Sequence, residues 1–115
     1  MSIIVKALPE VRLYLSDLIR ILFENKYFSF EDNAIEYVTD LVYEIETGLP
    51  FKTRKPALNY FKRYGENMFY SSFRKNRETT WYVFYTIHYD DELDSTIFLI
   101  RYISNNHVIG QQLFL

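Results

Sequence analysis

Three side chains near the end of the chain carry the functional groups needed for acid–base chemistry at an anionic centre. Arg101, Tyr102 and His107 lie in the segment LIRYISNNHVIG, residues 99–110. An arginine supplies a permanent positive charge for a phosphate, and a tyrosine supplies a hydroxyl that donates or accepts a hydrogen bond. Histidine is the residue type that exchanges protons near neutral pH. We therefore take Arg101, Tyr102 and His107 as candidate catalytic residues.

Each candidate also has a structural interpretation. Residues 104–106, Ser-Asn-Asn, precede His107, and polar residues at a strand end often hydrogen-bond their own backbone in a turn. The other histidine, His88, is interpreted as a cross-strand partner or a buried, hydrogen-bonded residue. Arg101 could pair with an acid of the preceding loop, which contains Asp90, Asp91, Glu92 and Asp94.

A second set of candidates comes from the distribution of charge. The formal net charge of the chain is −2. Residues 51–77 nevertheless contain eight Lys and Arg against one Glu, a balance of +7, interleaved with aromatic side chains. Such a basic segment in an acidic chain is typical of a surface that binds an anion. Residues 74–77 have an alternative interpretation as a solvated hairpin tip with no binding role. The candidate nucleic-acid-binding residues are Lys62, Arg63, Arg74, Lys75 and Arg77.

The composition argues against several other kinds of site. The chain has no cysteine, which excludes a disulfide, a thiolate nucleophile and a thiolate zinc site. The acids of residues 90–94 lack the glycine and the terminal glutamate of a calcium loop, so we expect no metal ion and no cofactor. The start of the chain lacks the features of a signal peptide, and no window is as long as a membrane span. We expect a cytoplasmic protein with no membrane partner.

The apolar spacing predicts the elements that position these residues. Residues 2–8 are rich in β-branched side chains and predict a strand. Apolar residues then recur at intervals of three and four, which predicts one helix over residues 9–25 and a second that ends near Gly48. Ser29 and Asp32 have nearly the spacing of a capping box, so we expect them to begin the second helix.

The second half of the chain changes to a period of two. Residues 68–76, 79–88 and 95–104 are three β-rich runs with polar separators, which predict an antiparallel meander. The last two runs are apolar at nearly every position, so both of their faces should be covered, by the helices on one side and by the tail or a partner on the other. Residues 108–115 are too short to assign. The expected fold class is α+β, a single domain over residues 1–115.

This order of elements resembles the RelE/ParE toxin superfamily of toxin–antitoxin modules. The resemblance covers nearly the whole chain: a first strand leads into an αα-hairpin, a basic connection follows, and the last strand of a meander leads into polar residues. It implies a RelE/ParE-like domain. RelE-like members are RNA endonucleases that often act on the ribosome, whereas ParE-like members share the fold and inhibit DNA gyrase.

The resemblance also implies roles and partners. It suggests an RNA-cleaving toxin of a type II module, with Arg101, Tyr102 and His107 in the last-strand group and Phe114 at the position of the family's tail aromatic. The alternative is a non-catalytic binding protein of the same fold, either a gyrase inhibitor or a protein-interaction module. The expected partners are a cognate antitoxin, whose acidic segment would lie on residues 52–77, and either mRNA, the ribosome or DNA gyrase.

Overall fold

The chain forms two short strands and two long helices before it reaches its meander. In the computed structural model, which describes residues 2–113, the helices and strands are β1 (Ser2–Ala7), α1 (Pro9–Glu24), α2 (Glu31–Gly48), β2 (Lys55–Pro56), β3 (Phe69–Arg74), β4 (Thr80–Asp90), β5 (Ser95–Asn105) and α3 (Asn106–Leu113). Two 3₁₀ helices, Leu49–Phe51 and Asn59–Tyr64, lie in the connection between α2 and β3. The fold is α+β, as predicted.

All five strands belong to one mixed sheet. Its order is β1-β5-β4-β3-β2, and the predicted meander of β3, β4 and β5 is antiparallel. β1 joins the edge of the meander and runs parallel to β5, with Ile4 opposite Ile97. A parallel neighbour needs a long crossover connection, which the helices and the rest of the chain between the two strands provide. The sheet therefore extends beyond the antiparallel meander that the sequence predicts.

The two long helices cover one face of the sheet. Their apolar residues recur at three and four residues, so each helix has one apolar stripe. Leu18 of α1 and Leu41 of α2 are buried against Val83 and Ile100 of the central strands. We call this face the helical face. No helix among residues 2–113 is long and apolar enough to cross a membrane.

The opposite face is covered at one end by the second 3₁₀ helix and by α3. Phe61 is fully buried, and its ring stacks on that of Phe84 with the centroids 4.4 Å apart. Ile109 and Leu113 of α3 belong to the same buried cluster. We call this side the tail face. Its cover explains why β4 and β5 are apolar on both faces.

One local prediction is wrong, and another falls outside the described residues. α2 begins at Glu31 after an extended Phe30, with no side-chain cap hydrogen bond, so Ser29 does not cap it. Glu31 and Asp32 instead place two carboxylates in the first turn, where the helix dipole favours negative charge. Residues 108–113 of the tail that the pattern leaves unassigned belong to α3. Phe114 lies outside the described residues.

The packing of Phe61 predicts a large and local effect on stability. Replacing Phe61 by Ala should lower the free energy of unfolding by about 3 kcal/mol, because the substitution removes a buried ring and leaves a cavity against Phe84. Urea unfolding followed by circular dichroism measures the change. The matched control is Phe51→Ala, since Phe51 is 80% exposed and its removal should change stability by less than about 0.5 kcal/mol. Equal losses in the two variants would contradict this account of the tail face.

Candidate functional site

A pocket of about 320 Å³ opens at the edge of the sheet beyond the end of β1. β1 pairs with β5 only as far as Ile100, so the rest of β5 borders the start of α1 and the second 3₁₀ helix. We call this cavity the arginine pocket. Its lining residues are Leu8, Glu10, Val11, Tyr14, Arg63, Tyr64, Arg101, Tyr102 and Ile103. It brings Arg101 and Tyr102 together with Arg63.

Arg101 reaches the tail face because β5 contains a β-bulge. Tyr102 pairs with Phe84 and Ile100 pairs with Tyr85, so Arg101 is an extra residue between two successive pairs. A bulge re-aims side chains and is common beside functional sites. The Nε–H of Arg101 donates a hydrogen bond of 3.0 Å to Oγ1 of Thr86, which is 6% exposed. A buried hydroxyl therefore fixes the direction of this guanidinium.

Gly65 makes room for the Arg101 side chain. A Cβ atom added at Gly65 would lie 2.7 Å from Cδ of Arg101 and 3.3 Å from Sδ of Met68. Arg101 could escape such a contact only by leaving its path towards Thr86, because Cδ lies in the middle of the side chain. The glycine that follows the second 3₁₀ helix is thus a steric requirement of the pocket.

Two tyrosines form the aromatic wall of the pocket. The rings of Tyr64 and Tyr102 stack with their centroids 3.8 Å apart and their planes 5° from parallel. Burial and a hydrogen bond with Tyr102 raise the pKa of the Tyr64 hydroxyl. Burial, followed by the nearby Tyr102, likewise raises the pKa of Tyr14. Both hydroxyls therefore keep their protons at neutral pH and act as hydrogen-bond donors.

The side chain of Arg63 is held by Tyr60. Its Nε–H donates to the carbonyl of Tyr60 at 3.1 Å, and its guanidinium lies over the Tyr60 ring, 4.3 Å from the centroid. The ion pairs among residues 2–113 are Arg20–Glu24 and Lys75–Glu44, so they involve neither arginine of the pocket. Both arginines line the pocket without an ion pair to any described carboxylate, and Glu10 belongs to the same lining.

His107 lies in a second cavity of about 390 Å³, and Tyr14 is the residue that lines both this cavity and the arginine pocket. Its Nε2 is 3.0 Å from Oγ1 of Thr79, and its backbone N–H donates to Oδ1 of Asn105. The three candidate catalytic residues therefore do not share one cavity. Arg101 and Tyr102 are together, and His107 is elsewhere.

The asparagines before His107 hold α3 to the hairpin between β3 and β4. Oδ1 of Asn106 accepts the backbone N–H of Thr80, and its Nδ2 donates to the carbonyl of Glu78. The Asn106 bonds satisfy backbone groups of Glu78 and Thr80, and the Asn105 contact satisfies the N–H of His107 in the first turn of α3. The polar cluster that ends the last strand thus binds the first turn of α3 and the hairpin, and β5 passes directly into α3 without the predicted turn.

The five candidate nucleic-acid-binding residues lie in two places. Lys62 is exposed beside Arg63, near the arginine pocket. Arg74, Lys75 and Arg77 belong to the β3–β4 hairpin. Arg74 donates to carbonyls of the hairpin itself, and Nζ of Lys75 lies 3.2 Å from a carboxylate oxygen of Glu44 and 5.2 Å from the Tyr37 ring centroid. Lys75 therefore ties the hairpin to α2.

His88 pairs across the strands with Ile97, as one of its two interpretations expects, but the interpretation as a buried histidine is wrong. It is exposed rather than buried, and its polar partner is on its own strand: Nε2 lies 2.7 Å from Oγ1 of Thr86. The same Thr86 hydroxyl binds Arg101. The period of two in β4 puts residues 86 and 88 on one face, and this could have been inferred. The link to Arg101 depends on the bulge, which the sequence does not reveal.

No protein-family model, curated protein or solved structure matches this chain. Among residues 2–113, no three His, Asp or Glu side chains are grouped so that they could hold a metal ion. Paired guanidiniums beside tyrosine hydroxyls form a donor-rich site for an anion.

Gly65 provides the first test of the pocket. Gly65→Ala should displace Arg101 from Thr86 and weaken the binding of a single-stranded oligonucleotide about tenfold, the loss expected when a charged hydrogen bond is removed. Gly110→Ala is the control, because a Cβ there meets no atom within 4 Å. Fluorescence anisotropy measures both affinities. Unchanged affinity in Gly65→Ala would show that the position of Arg101 does not matter for binding.

Tyr14 provides a pH test. Its folded-state pKa is raised, so its contribution to stability is complete below the unfolded value of about 10 and is lost as the pH rises through the folded value. The wild-type protein should therefore lose stability between about pH 9 and 12 more steeply than Tyr14→Phe. Urea midpoints across this range measure the difference. Tyr27→Phe, which changes a 70% exposed side chain, should follow the wild type.

Proposed function

We propose that this protein is the toxin component of a type II toxin–antitoxin module of RelE/ParE type, and that it binds and cleaves RNA at the arginine pocket. The observation that carries the proposal is the pairing of Arg63 and Arg101 beside the stacked Tyr64 and Tyr102 in one cavity. The order of β1, an αα-hairpin and a terminal meander agrees with the resemblance of the sequence to that superfamily.

RNA binding follows from the types of donor in the pocket. A guanidinium matches the geometry of a phosphate and can donate two hydrogen bonds to it. Lys62 is exposed next to Arg63 and can contact a neighbouring phosphate. Single-stranded RNA combines such backbone contacts with the stacking of bases on aromatic side chains. The strand would therefore lie along the second 3₁₀ helix and enter the pocket at Arg101.

Cleavage requires three contributions from the site. The 2′-hydroxyl must lose a proton, the charge on the phosphorus-centred intermediate must be stabilised, and the leaving oxygen must gain a proton. Arg63 and Arg101 supply the positive charge. The Tyr64 hydroxyl lines the same cavity and can donate a proton to the leaving oxygen. The site also needs a group that accepts the proton of the 2′-hydroxyl.

The second candidate function is a non-catalytic binding protein of the same fold. It is favoured by the absence of a histidine from the lining of the arginine pocket and by the position of His107 in another cavity. In that case the two arginines would hold an acidic segment of a protein partner, such as DNA gyrase. Under either function, a cognate antitoxin with an acidic segment is the expected inhibitor, because that segment complements the basic residues 52–77.

Expression in bacteria with matched variants tests the proposal. Induction of the wild-type chain should arrest growth and create new RNA ends, and both effects should disappear in Arg63→Ala/Arg101→Ala. Arg12→Ala/Arg20→Ala is the control, because it removes the same charge from exposed positions of α1. The abundance of each variant is confirmed by immunoblotting, and RNA ends are mapped by sequencing.

Purified protein adds a quantitative measurement. Binding of single-stranded RNA should depend on salt, and loss of two phosphate contacts should reduce the slope of log K against log salt by about 1.4. The control variant should keep the wild-type slope. Growth arrest without new RNA ends would contradict RNA cleavage and support gyrase as the target, and unimpeded growth would support a non-toxic binding protein.

A further inference from the structure

One buried hydroxyl joins the arginine pocket to a histidine outside it. Oγ1 of Thr86 is 3.0 Å from Nε of Arg101 and 2.7 Å from Nε2 of His88. Thr86 is buried, whereas His88 is exposed. The three side chains therefore form a hydrogen-bonded row across the tail face, with an anion-binding group at one end and a titratable group at the other.

We infer that His88, and not His107, is the proton acceptor of the RNA-cleaving site. The inference rests on the function proposed above and names the group that performs its remaining role. A histidine is suited to this role because it exchanges protons near neutral pH. His88 is one hydroxyl away from the guanidinium that would bind the phosphate, while His107 is bound to Thr79 in another cavity.

The hydrogen bonds at Thr86 can orient the imidazole for this task. A hydroxyl oxygen has two lone pairs, so Oγ1 of Thr86 can accept the Nε–H of Arg101 and an Nε2–H of His88 together. That arrangement fixes the tautomer of His88 in which the Nδ1 lone pair is available. The acceptor atom for the 2′-hydroxyl proton is then Nδ1, on the side of the ring away from Thr86.

The open part of the tail face gives a substrate access to His88. α3 packs near Phe84, and β4 continues from there past Thr86 to His88, which remains exposed. The register of the strands places Ile97 directly opposite His88. The charged groups of this face on the strands next to His88 are Arg101, Lys6 on β1, which is paired with Leu99, and Asp90, two residues further along β4. Arg74 and Lys55 lie on the same face further along the sheet.

The proposed step balances as an internal transfer within the RNA. The 2′-oxygen forms a bond to phosphorus and the bond from phosphorus to the 5′-oxygen breaks, which yields a 2′,3′-cyclic phosphate and a 5′-hydroxyl. The 2′-hydroxyl proton passes to Nδ1 of His88. The 5′-oxygen takes its proton from the Tyr64 hydroxyl, which regains one from the His88 imidazolium through solvent. Arg63 and Arg101 stabilise the charge on the non-bridging oxygens.

A pair of equivalent substitutions tests the assignment. His88→Gln and His107→Gln are compared with the wild type. The glutamine amide can replace the hydrogen bond of the imidazole Nε2, but it cannot accept a proton near neutral pH. Cleavage of a mixed-sequence single-stranded RNA is measured with and without ribosomes. His88→Gln should lower the rate at least about 100-fold, as expected for the loss of general-base catalysis. His107→Gln should cleave within about threefold of the wild type.

Further readouts separate catalysis from structure. Binding of the same RNA with 2′-deoxy nucleotides, which cannot be cleaved, should be unchanged in His88→Gln. The wild-type rate should fall at acid pH as the acceptor becomes protonated, and this limb of the pH profile should vanish in His88→Gln. Added imidazole should restore cleavage to His88→Gly, because the exposed position leaves room for it. A purely structural role for His88 would show none of these three results.

The outcomes distinguish this inference from the function on which it rests. If the wild type cleaves RNA and His88→Gln cleaves equally well, the role of His88 is disproved while the proposed function stands. Loss of cleavage in His107→Gln, or in Glu10→Gln at the pocket lining, with His88→Gln active, would assign the acceptor to that residue instead. If the wild type does not cleave RNA under either condition, both proposals fail.

Discussion

The β-bulge at Arg101 is the constraint on which the rest of this structure depends. In a regular strand, side chains alternate between the two faces, so Ile100 and Ile103 would point in opposite directions. Because Arg101 is an extra residue between two pairs with β4, both isoleucines are buried in the core of the helical face. Arg101 and Tyr102 are consecutive residues on the tail face. One inserted residue therefore completes the core and also creates the candidate site.

The segment between α2 and β3 packs against the sheet, and this packing positions the residues that it contributes to the pocket. Phe61 is buried on Phe84, and this packing anchors the second 3₁₀ helix to the sheet. The same short helix carries Arg63 and Tyr64 to the edge of β5, where Tyr64 stacks on Tyr102. Gly65 then lets the chain pass close to Arg101. The geometry of the pocket is thus set by hydrophobic contacts a few residues away from its polar groups.

The two histidines show how the same residue type can take different positions in one small sheet. His107 follows two asparagines. Asn105 accepts the N–H of His107 in the first turn of α3, and Asn106 binds backbone groups of the β3–β4 hairpin. His88 is on a strand whose far end α3 leaves open. Its Nε2 contacts the hydroxyl of Thr86, which also accepts a hydrogen bond from Arg101. Proximity in sequence to Arg101 favours His107, whereas the pairing of β4 with β5 joins His88 to Arg101 through Thr86.

The amino-acid sequence by itself determined the elements and the fold class. The spacing of apolar residues is a local property, so it predicted β1, α1, α2 and the three long strands, and the apolar character of β4 and β5 predicted cover on both faces. The concentration of base in residues 51–77 led to the prediction of an anion-binding segment. These features depend on neighbours along the chain. The turn predicted at the Asn residues before His107 is absent, because β5 passes directly into α3.

Only the tertiary structure decided which of these residues meet. The parallel pairing of β1, the bulge at Arg101 and the stacking of Phe61 on Phe84 are contacts between residues far apart in the chain, and local patterns do not specify them. As a result, His107 lies apart from Arg101, and His88 is joined to Arg101 through Thr86. Lys75 holds the hairpin to α2. The physical reason is that a strand's register and a bulge are set by how the whole sheet packs.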